Sequence, residues 1–150
     1  MRNDIAEALK VAQKSKDKHR VSTLRLVLAA ISDRDIALRG KGKDKADKEE
    51  VLDILTKMIK QRMESSKIYH EAGRLELESR ELEEIEIIRE FLPKQLDEQE
   101  SNEAIKAAIA ETGAESLRDM GKVMGALRAK YRGQLDMGKA GAVIKQELSG

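Results

Sequence analysis

The amino-acid sequence predicts an all-α protein with a four-helix N-terminal body and a small three-helix C-terminal domain. Apolar residues recur at the three- and four-residue spacing of amphipathic helices. Aromatic residues make up only 2% of the chain, whereas charged residues make up 38%, which favours helices over sheets. Pro93, the only proline among 150 residues, disfavours helical geometry at the residue before it. We therefore expect no β-sheet, and two domains at residues 1–94 and 95–150.

The first two helices are predicted from apolar stripes on either side of a polar break at residues 14–19. The stripes consist of Ile5, Ala8, Leu9 and Ala12, and of Leu24, Val27, Leu28 and Ile31. Both have helical spacing and should face each other. The next segment, residues 39–45, contains two glycines and no apolar anchor, which predicts a mobile loop.

The third and fourth helices complete the predicted body. Asp47, with Glu50 three residues later, resembles a capping box that opens the third helix, and Gly73 should end it. The expected stripes are Val51, Leu52, Leu55, Met58, Ile59 and Met63 in the third helix, and Leu82, Ile85, Ile88 and Leu92 in the fourth.

Three short helices are predicted after Pro93 from polar residues that can cap a helix start. The starts are Asp97 with Glu100, Ser116 with Asp119, and Asp136 before residues 137–148. Gly113 and Gly133 stand where the first two of these helices should end.

The composition limits the classes of function that the chain can have. It has no cysteine, which excludes disulfides, thiolate nucleophiles and thiolate zinc sites. No segment has the length and apolarity of a signal peptide or a membrane helix, so we expect a cytoplasmic protein with no membrane partner. The net charge is +1, but residues 1–48 and 118–150 are basic and the middle of the chain is acidic. Clustering of the basic residues is therefore required for any role with nucleic acid.

No catalytic residue, metal site or cofactor is expected. His19 and His70 lie in separate helical contexts without the spacing of a zinc site, and we expect both at the surface. Residues 133–140 have the glycine and lysine spacing of a phosphate-binding loop, but they follow a predicted helix and end in Ala140, which offers no oxygen to magnesium. No serine or cysteine nucleophile stands in a motif with a general base.

The most informative segment is Met120–Leu127, in which Gly121 and Gly125 are four residues apart and share one helix face. Such a face lets another backbone come close, and two interpretations are open: helix packing within the small domain, or contact with an RNA backbone. Methionines near this segment are interpreted as core residues. The candidate nucleic-acid-binding residues are Gly121, Lys122, Gly125, Arg128, Lys130, Arg132, Lys139 and Lys145.

Three segments in a fixed order carry a resemblance to a known family. Phe91–Leu96 reads Phe-Leu-Pro-Lys-Gln-Leu, Met120–Gly125 reads Met-Gly-Lys-Val-Met-Gly, and Asp136–Lys139 reads Asp-Met-Gly-Lys. After a four-helix body, this order is similar to the GatB/YqeY family. The chain resembles its stand-alone YqeY type over essentially the whole length.

The resemblance implies a role that is not catalytic in this chain alone. In that family the same kind of unit forms the C-terminal tail of GatB, a subunit of the amidotransferase that converts misacylated Glu-tRNA or Asp-tRNA to the Gln or Asn form. The tail contacts tRNA and does no chemistry. The matching positions are Gly121, Lys122 and Gly125 for the tail's glycine-lysine helix, and Lys130, Gly133 and Lys139 for its later basic turn.

One departure is that Gln134-Leu135 stands where relatives often have Arg-Ala, so one positive charge is missing. The chain also has neither the GatB catalytic cradle nor an amidase. The family label of a carbon-nitrogen ligase with glutamine as amido-N-donor would therefore describe a complex.

The leading hypothesis is a tRNA-binding accessory protein, docked on an amidotransferase or aminoacyl-tRNA synthetase, with no DNA partner. The alternative is a protein-interaction adaptor with no nucleic-acid role, using residues 76–90 or the glycine face.

Overall fold

The computed structural model describes residues 1–149 and confirms the all-α prediction. This part of the chain forms seven α-helices and one short 3₁₀-helix, and it contains no strand. The helices group into two compact units, the first from Met1 to Leu92 and the second from Pro93 onward. No helix within residues 1–149 is long and apolar enough to cross a membrane.

The N-terminal unit contains α1 (Arg2–Lys14), α2 (Lys18–Arg39), α3 (Lys48–Glu71) and α4 (Leu75–Arg89). Helix α1 packs along α2, and α3 packs along α4. Asp17 and Asp47 cap the starts of α2 and α3, because their side chains accept the backbone N–H groups of Arg20 and Glu50. The largest fully buried side chains of this unit are Ile5, Leu24, Val27, Ile31, Leu55 and Ile88.

Asp35, which the sequence patterns did not indicate, fixes the end of the loop after α2 through hydrogen bonds. Arg2 donates two hydrogen bonds to the Asp35 carboxylate, at 2.6 and 3.0 Å, and the backbone N–H of Ala46 donates a third at 2.7 Å. Ala46 is itself buried and supplies an anchor just beyond the two glycines. The hydrogen bonds from Arg2 and from the Ala46 N–H lower the pKa of Asp35 to about 2.

Two of the predicted apolar stripes run off the buried face. In α4, Leu82 is 46% exposed, whereas Ile85 and Ile88 are buried. Leu92, just after α4, is partly buried and packs against the same core as predicted. A three-residue step turns a helix by about 300°, so a stripe with only this spacing drifts by about 60° a step. In α3, Met63 is 47% exposed, because the buried face continues through Ser66.

The second unit contains α5 (Glu98–Thr112), a 3₁₀-helix (Leu117–Asp119), α6 (Met120–Tyr131) and α7 (Met137–Ser149). Its core includes Ile105, Val123, Leu127 and Ile144, all fully or almost fully buried. A capping box joins Asp97 and Glu100 at the start of α5. Gly113 and Gly133 adopt φ values of 64° and 81°, the left-handed region in which glycine is favoured at the ends of helices.

Candidate nucleic-acid interface

The two glycines of α6 lie on its exposed face. Val123 and Leu127 turn into the core, and Gly121 and Gly125 are exposed on the other side of the helix. A Cβ atom added at either glycine would meet nothing within 4 Å. The structure therefore contradicts the interpretation that these glycines serve helix packing within the small domain. They leave a strip of bare backbone, about one helical turn long, open to a partner.

The close approach between α6 and α7 is made by a different glycine. A Cβ atom added at Gly141 in α7 would lie 3.5 Å from Met120 Cε and 4.0 Å from Met124 Sδ. Both methionines are partly buried and pack against the core of this unit, in line with their interpretation as core residues. The spacing of Gly141 to other glycines does not reveal this role, and we find no sequence signal that separates it from Gly121.

The basic candidates on α6 do not all share the glycine face. Arg128 is seven residues from Gly121, about two turns, and so lies on the same side of the helix, while Lys122 borders this face. Lys130 is nine residues from Gly121 and lies on the opposite side. Its Nζ atom is 5.6 Å from the centroid of the Tyr131 ring. Lys122 and Arg128 are therefore the cations that α6 places beside its glycines.

The remaining candidates lie after α6. Arg132 follows the last residue of α6 and is half-buried. Lys139 is exposed in the first turn of α7, and Lys145 is exposed six residues later, about 9 Å along the helix. The predicted residues therefore spread along the hairpin of α6 and α7 and do not form a single tight cluster.

Most of these cations have no acidic partner. Within residues 1–149, no ion pair is formed by Lys122, Arg128, Lys139 or Lys145. The acid nearest in sequence to Lys122 is Asp119, whose carboxylate accepts the backbone N–H groups of Glu115 and Ser116. These bonds, with a smaller contribution from Lys122, lower the pKa of Asp119. The Asp119 carboxylate thus binds backbone amides and forms no ion pair with Lys122.

Asp136 accounts for the segment that resembles a phosphate-binding loop. Its Oδ1 atom accepts the backbone N–H groups of Gly138 at 2.9 Å and of Lys139 at 3.2 Å. In a phosphate-binding loop, amides at such positions contact the phosphate oxygens. Here the carboxylate satisfies them and caps the start of α7, which supports the interpretation of a helix-turn-helix connection.

Hydrogen bonds from two glutamine side chains join the proline-containing segment to the connection between α6 and α7. Gln95 donates side-chain hydrogen bonds to the carbonyls of Pro93 and Gly133, and Gln134 donates one to the carbonyl of Lys94 at 3.0 Å. The backbone N–H of Leu96 donates to the carbonyl of Gln134 at 2.9 Å. Leu135 is buried. The Gln134-Leu135 pair, noticed in the sequence only as a lost charge, thus holds the connection in place.

Neither histidine lies in a site that could bind a metal. Nδ1 of His19 is 3.0 Å from Glu83, and Nδ1 of His70 is 2.8 Å from Glu78. His70 is exposed as expected, but His19 is only about a quarter exposed. Among residues 1–149, no group of three His, Asp or Glu side chains is arranged to hold a metal ion.

The sequence is similar to curated proteins from yeast. In Saccharomyces cerevisiae strains YJM789 and Lalvin EC1118, the protein named "Altered inheritance of mitochondria protein 41, mitochondrial" is 33% identical over 84 residues, which cover 56% of this chain and 44% of the relative. The match to the same protein in strain S288c has the same extent. The chain thus spans less than half the length of these relatives.

The expected cytoplasmic location is wrong on this finding, because the relatives are named as mitochondrial proteins. The expectation rested on the lack of cysteine and of long apolar segments. Neither property distinguishes the cytoplasm from another aqueous compartment.

The family assignment covers far more of the chain than these pairwise matches. The sequence matches the family described as "Yqey-like protein" over residues 2–148. That range covers both units apart from Met1 and the last two residues of the chain. It includes Gln95, Gln134, the exposed glycines of α6 and Asp136. The chain therefore belongs to the Yqey-like protein family.

Proposed function

We propose that this protein is a non-catalytic tRNA-binding accessory protein and that its second unit contacts the tRNA backbone. The observation that carries the proposal is the exposed face of α6. There Gly121 and Gly125 have no neighbour within 4 Å of an added Cβ, and Lys122 and Arg128 lie beside them without an ion pair. Bare backbone lets a phosphate-ribose chain come close, and unpaired cations neutralise phosphates without first breaking a bond inside the protein.

The proposal favours recognition of backbone and shape over the reading of bases. The glycine face presents backbone and aliphatic surface, and sequence-specific RNA recognition commonly stacks unpaired bases on aromatic rings. Tyr131 is half-buried against the core of this unit. Binding should therefore depend strongly on salt and weakly on sequence.

The link to tRNA-dependent amidation rests on the resemblance of the proline-containing segment and the glycine helix to the tail of GatB. We assign no chemical step to this chain. An amidotransferase or an aminoacyl-tRNA synthetase would supply the chemistry, and this protein would hold or orient the tRNA.

Fluorescence anisotropy with labelled total tRNA, across a salt series, tests the proposal. The double variant Lys122→Glu, Arg128→Glu should bind at least about tenfold more weakly, with the slope of log K against log salt reduced by about two. Lys106→Glu is the matched control, because Lys106 is exposed in α5 of the same unit and lies outside the proposed face. An unrelated duplex RNA measures the preference for tRNA.

The proposal fails if wild-type protein does not bind tRNA at low salt, or if the double variant and Lys106→Glu bind equally well. In that case the adaptor alternative takes its place. A pull-down that recovers the same protein partner after nuclease treatment would then identify the role.

A further inference from the structure

A groove in the N-terminal unit lies outside everything proposed for the second unit. It runs along the first half of α2 and is closed at one end by the last turn of α1 and the turn after it. Its volume is about 690 Å³. The side chains that matter here form an apolar floor, Val21, Leu26 and Ala29, and a cationic rim, Lys16, Lys18 and Arg25.

The floor is made by a second apolar face of α2. Leu24 and Val27 are buried in the core, whereas Leu26 is 48% exposed and Ala29 is exposed beside it. With about 100° of rotation per residue, Val21, Ala29 and Leu26 lie within an arc of about 140° on α2, and Lys18 and Arg25 lie within the same arc. A partner helix on this face would therefore meet apolar and cationic side chains together. About half of the Leu26 surface is covered within the fold, and the other half is apolar area that is open to a partner.

The rim carries charge of one sign. None of Lys16, Lys18 and Arg25 makes an ion pair within residues 1–149, and no Asp or Glu lines the groove. The neighbouring acid, Asp17, is engaged with the backbone N–H of Arg20 at 3.1 Å. The rim is therefore electrostatically complementary to an acidic ligand.

Lys16 holds its place on the rim in a conformation that lysine rarely adopts. Its φ is 60°, in the left-handed region. The hydrogen bonds from Lys16 N–H to the Gln13 carbonyl and from Asp17 N–H to the Ala12 carbonyl form a helix-ending turn in which glycine is the usual residue at this position. A lysine here costs conformational energy and places a cation at the closed end of the groove.

We propose that this groove binds an acidic amphipathic helix of a partner protein. The apolar side chains of that helix would cover Val21 and Leu26, and its carboxylates would face the cationic rim. The groove extends over residues 18–29 of α2, about 16 Å, which suits three turns of a partner helix. RNA fits less well, since the apolar side chains of Val21, Leu26 and Ala29 offer no polar group to a phosphate-ribose backbone.

The test uses the full chain and a fluorescein-labelled 18-residue peptide with leucines at helical i, i+3 and i+4 spacing and glutamates elsewhere. A control peptide carries lysines in place of the glutamates. We expect the acidic peptide to bind and the basic peptide not to bind. Lys18→Glu, Arg25→Glu should weaken binding by about tenfold or more, and Leu26→Gln should weaken it with little change in salt dependence.

Lys10→Glu is the matched control, because Lys10 is exposed on α1 and lies outside the groove. All the substituted residues are exposed, so circular dichroism should show unchanged helix content. The inference is overturned if both peptides bind alike, if neither binds, or if the groove variants bind like Lys10→Glu. It is also overturned if Lys18→Glu, Arg25→Glu lowers affinity for tRNA instead, which would make the groove an RNA site.

Failure here is distinguishable from failure of the proposed function. The Lys122→Glu, Arg128→Glu variant should keep its affinity for the acidic peptide. A saturating concentration of that peptide should leave tRNA binding unchanged, because the two surfaces belong to different units.

Discussion

The two units of this protein share one use of acidic side chains and differ in another. Aspartates accept backbone N–H groups in both units, as Asp17 and Asp47 do in the N-terminal unit. In the N-terminal unit, carboxylates pair with cations: Asp35 binds Arg2, Glu90 binds Arg20, and Glu50 binds Arg34. In the second unit, Asp119 and Asp136 accept backbone N–H groups, as described above. Asp119 and Asp136 each cap a turn or helix, and Lys122 and Lys139 beside them form no ion pair within residues 1–149.

The net charge of the chain does not reveal which of its cations lack an acidic partner. The chain as a whole carries a net charge of +1. A nearby cation is left unpaired where a carboxylate binds backbone amides, as Asp136 does, without also binding a side-chain cation, as Asp35 binds Arg2. The following substitutions test how the side chains of each unit contribute to stability and to binding.

Asp35→Asn should have the largest effect on stability, because it removes the charge that joins Arg2, α2 and the end of the loop. At neutral pH the melting temperature should fall by several degrees. The pKa of Asp35 is lowered to about 2 in the folded protein, so its stabilising effect is present above its ordinary pKa near 3.8 and is lost as pH falls toward 2. The difference between variant and wild type should therefore shrink over that range.

Thermal unfolding followed by circular dichroism at several pH values measures this. Asp33→Asn is the control, since Asp33 is exposed on the same helix and should change the melting temperature little. A difference that stays constant down to pH 2 would contradict the role of the Asp35 charge.

The double variant Gly121→Ala, Gly125→Ala should change stability and tRNA binding of the second unit in opposite directions. Both positions are helical and open, so alanine should stabilise α6 by about 1 kcal/mol at each site. If an RNA backbone approaches this face, the added methyl groups should weaken tRNA binding in the same variant. Denaturant unfolding and anisotropy measure the two effects.

Gly141→Ala is the control for this experiment. Its added Cβ would make ordinary contact with Met120 and Met124, so it adds a methyl group in the same unit but away from the exposed face. It should leave tRNA affinity unchanged. Equal affinity of wild type and the double alanine variant would mean that nothing binds close to the α6 backbone.

Lys16→Gly tests the cationic rim of the N-terminal unit at Lys16, which forms no ion pair in the part of the chain that the structure describes and has a strained backbone conformation. Glycine relieves the left-handed conformation, so stability should rise by up to about 1 kcal/mol. Affinity for the acidic peptide should fall at the same time. Lys14→Gly is the control, because Lys14 is in α1 with helical geometry and glycine there should destabilise by about 1 kcal/mol. A stabilised variant with unchanged peptide affinity would remove Lys16 from the groove.

The sequence predicted helices and caps well because these depend on local rules. Asp97 with Glu100, and the glycines at positions 113 and 133, act through neighbours a few residues away. Asp35 and Gln134 could not be predicted in the same way, since their partners lie 33 and 40 residues away along the chain. Likewise, the sequence does not distinguish Gly141, which lies beside the methionines of α6, from Gly121 and Gly125, which face solvent. That difference depends on where the neighbouring helix lies.

The smallest predicted effect is a change in melting temperature on substitution of Glu81 in α4. Because Leu82 turns toward solvent, Glu81 lies on the partly buried side, and burial followed by the nearby charge of Glu84 raises the pKa of Glu81. An acid whose pKa is raised on folding opposes folding at neutral pH, and this cost disappears below its ordinary pKa near 4.5. Glu81→Gln should therefore raise the melting temperature slightly at pH 7 and leave it unchanged near pH 4. Glu76→Gln, at an exposed position of the same helix, should show no such pH dependence, and a destabilised Glu81→Gln variant at pH 7 would show that the Glu81 charge supports the fold.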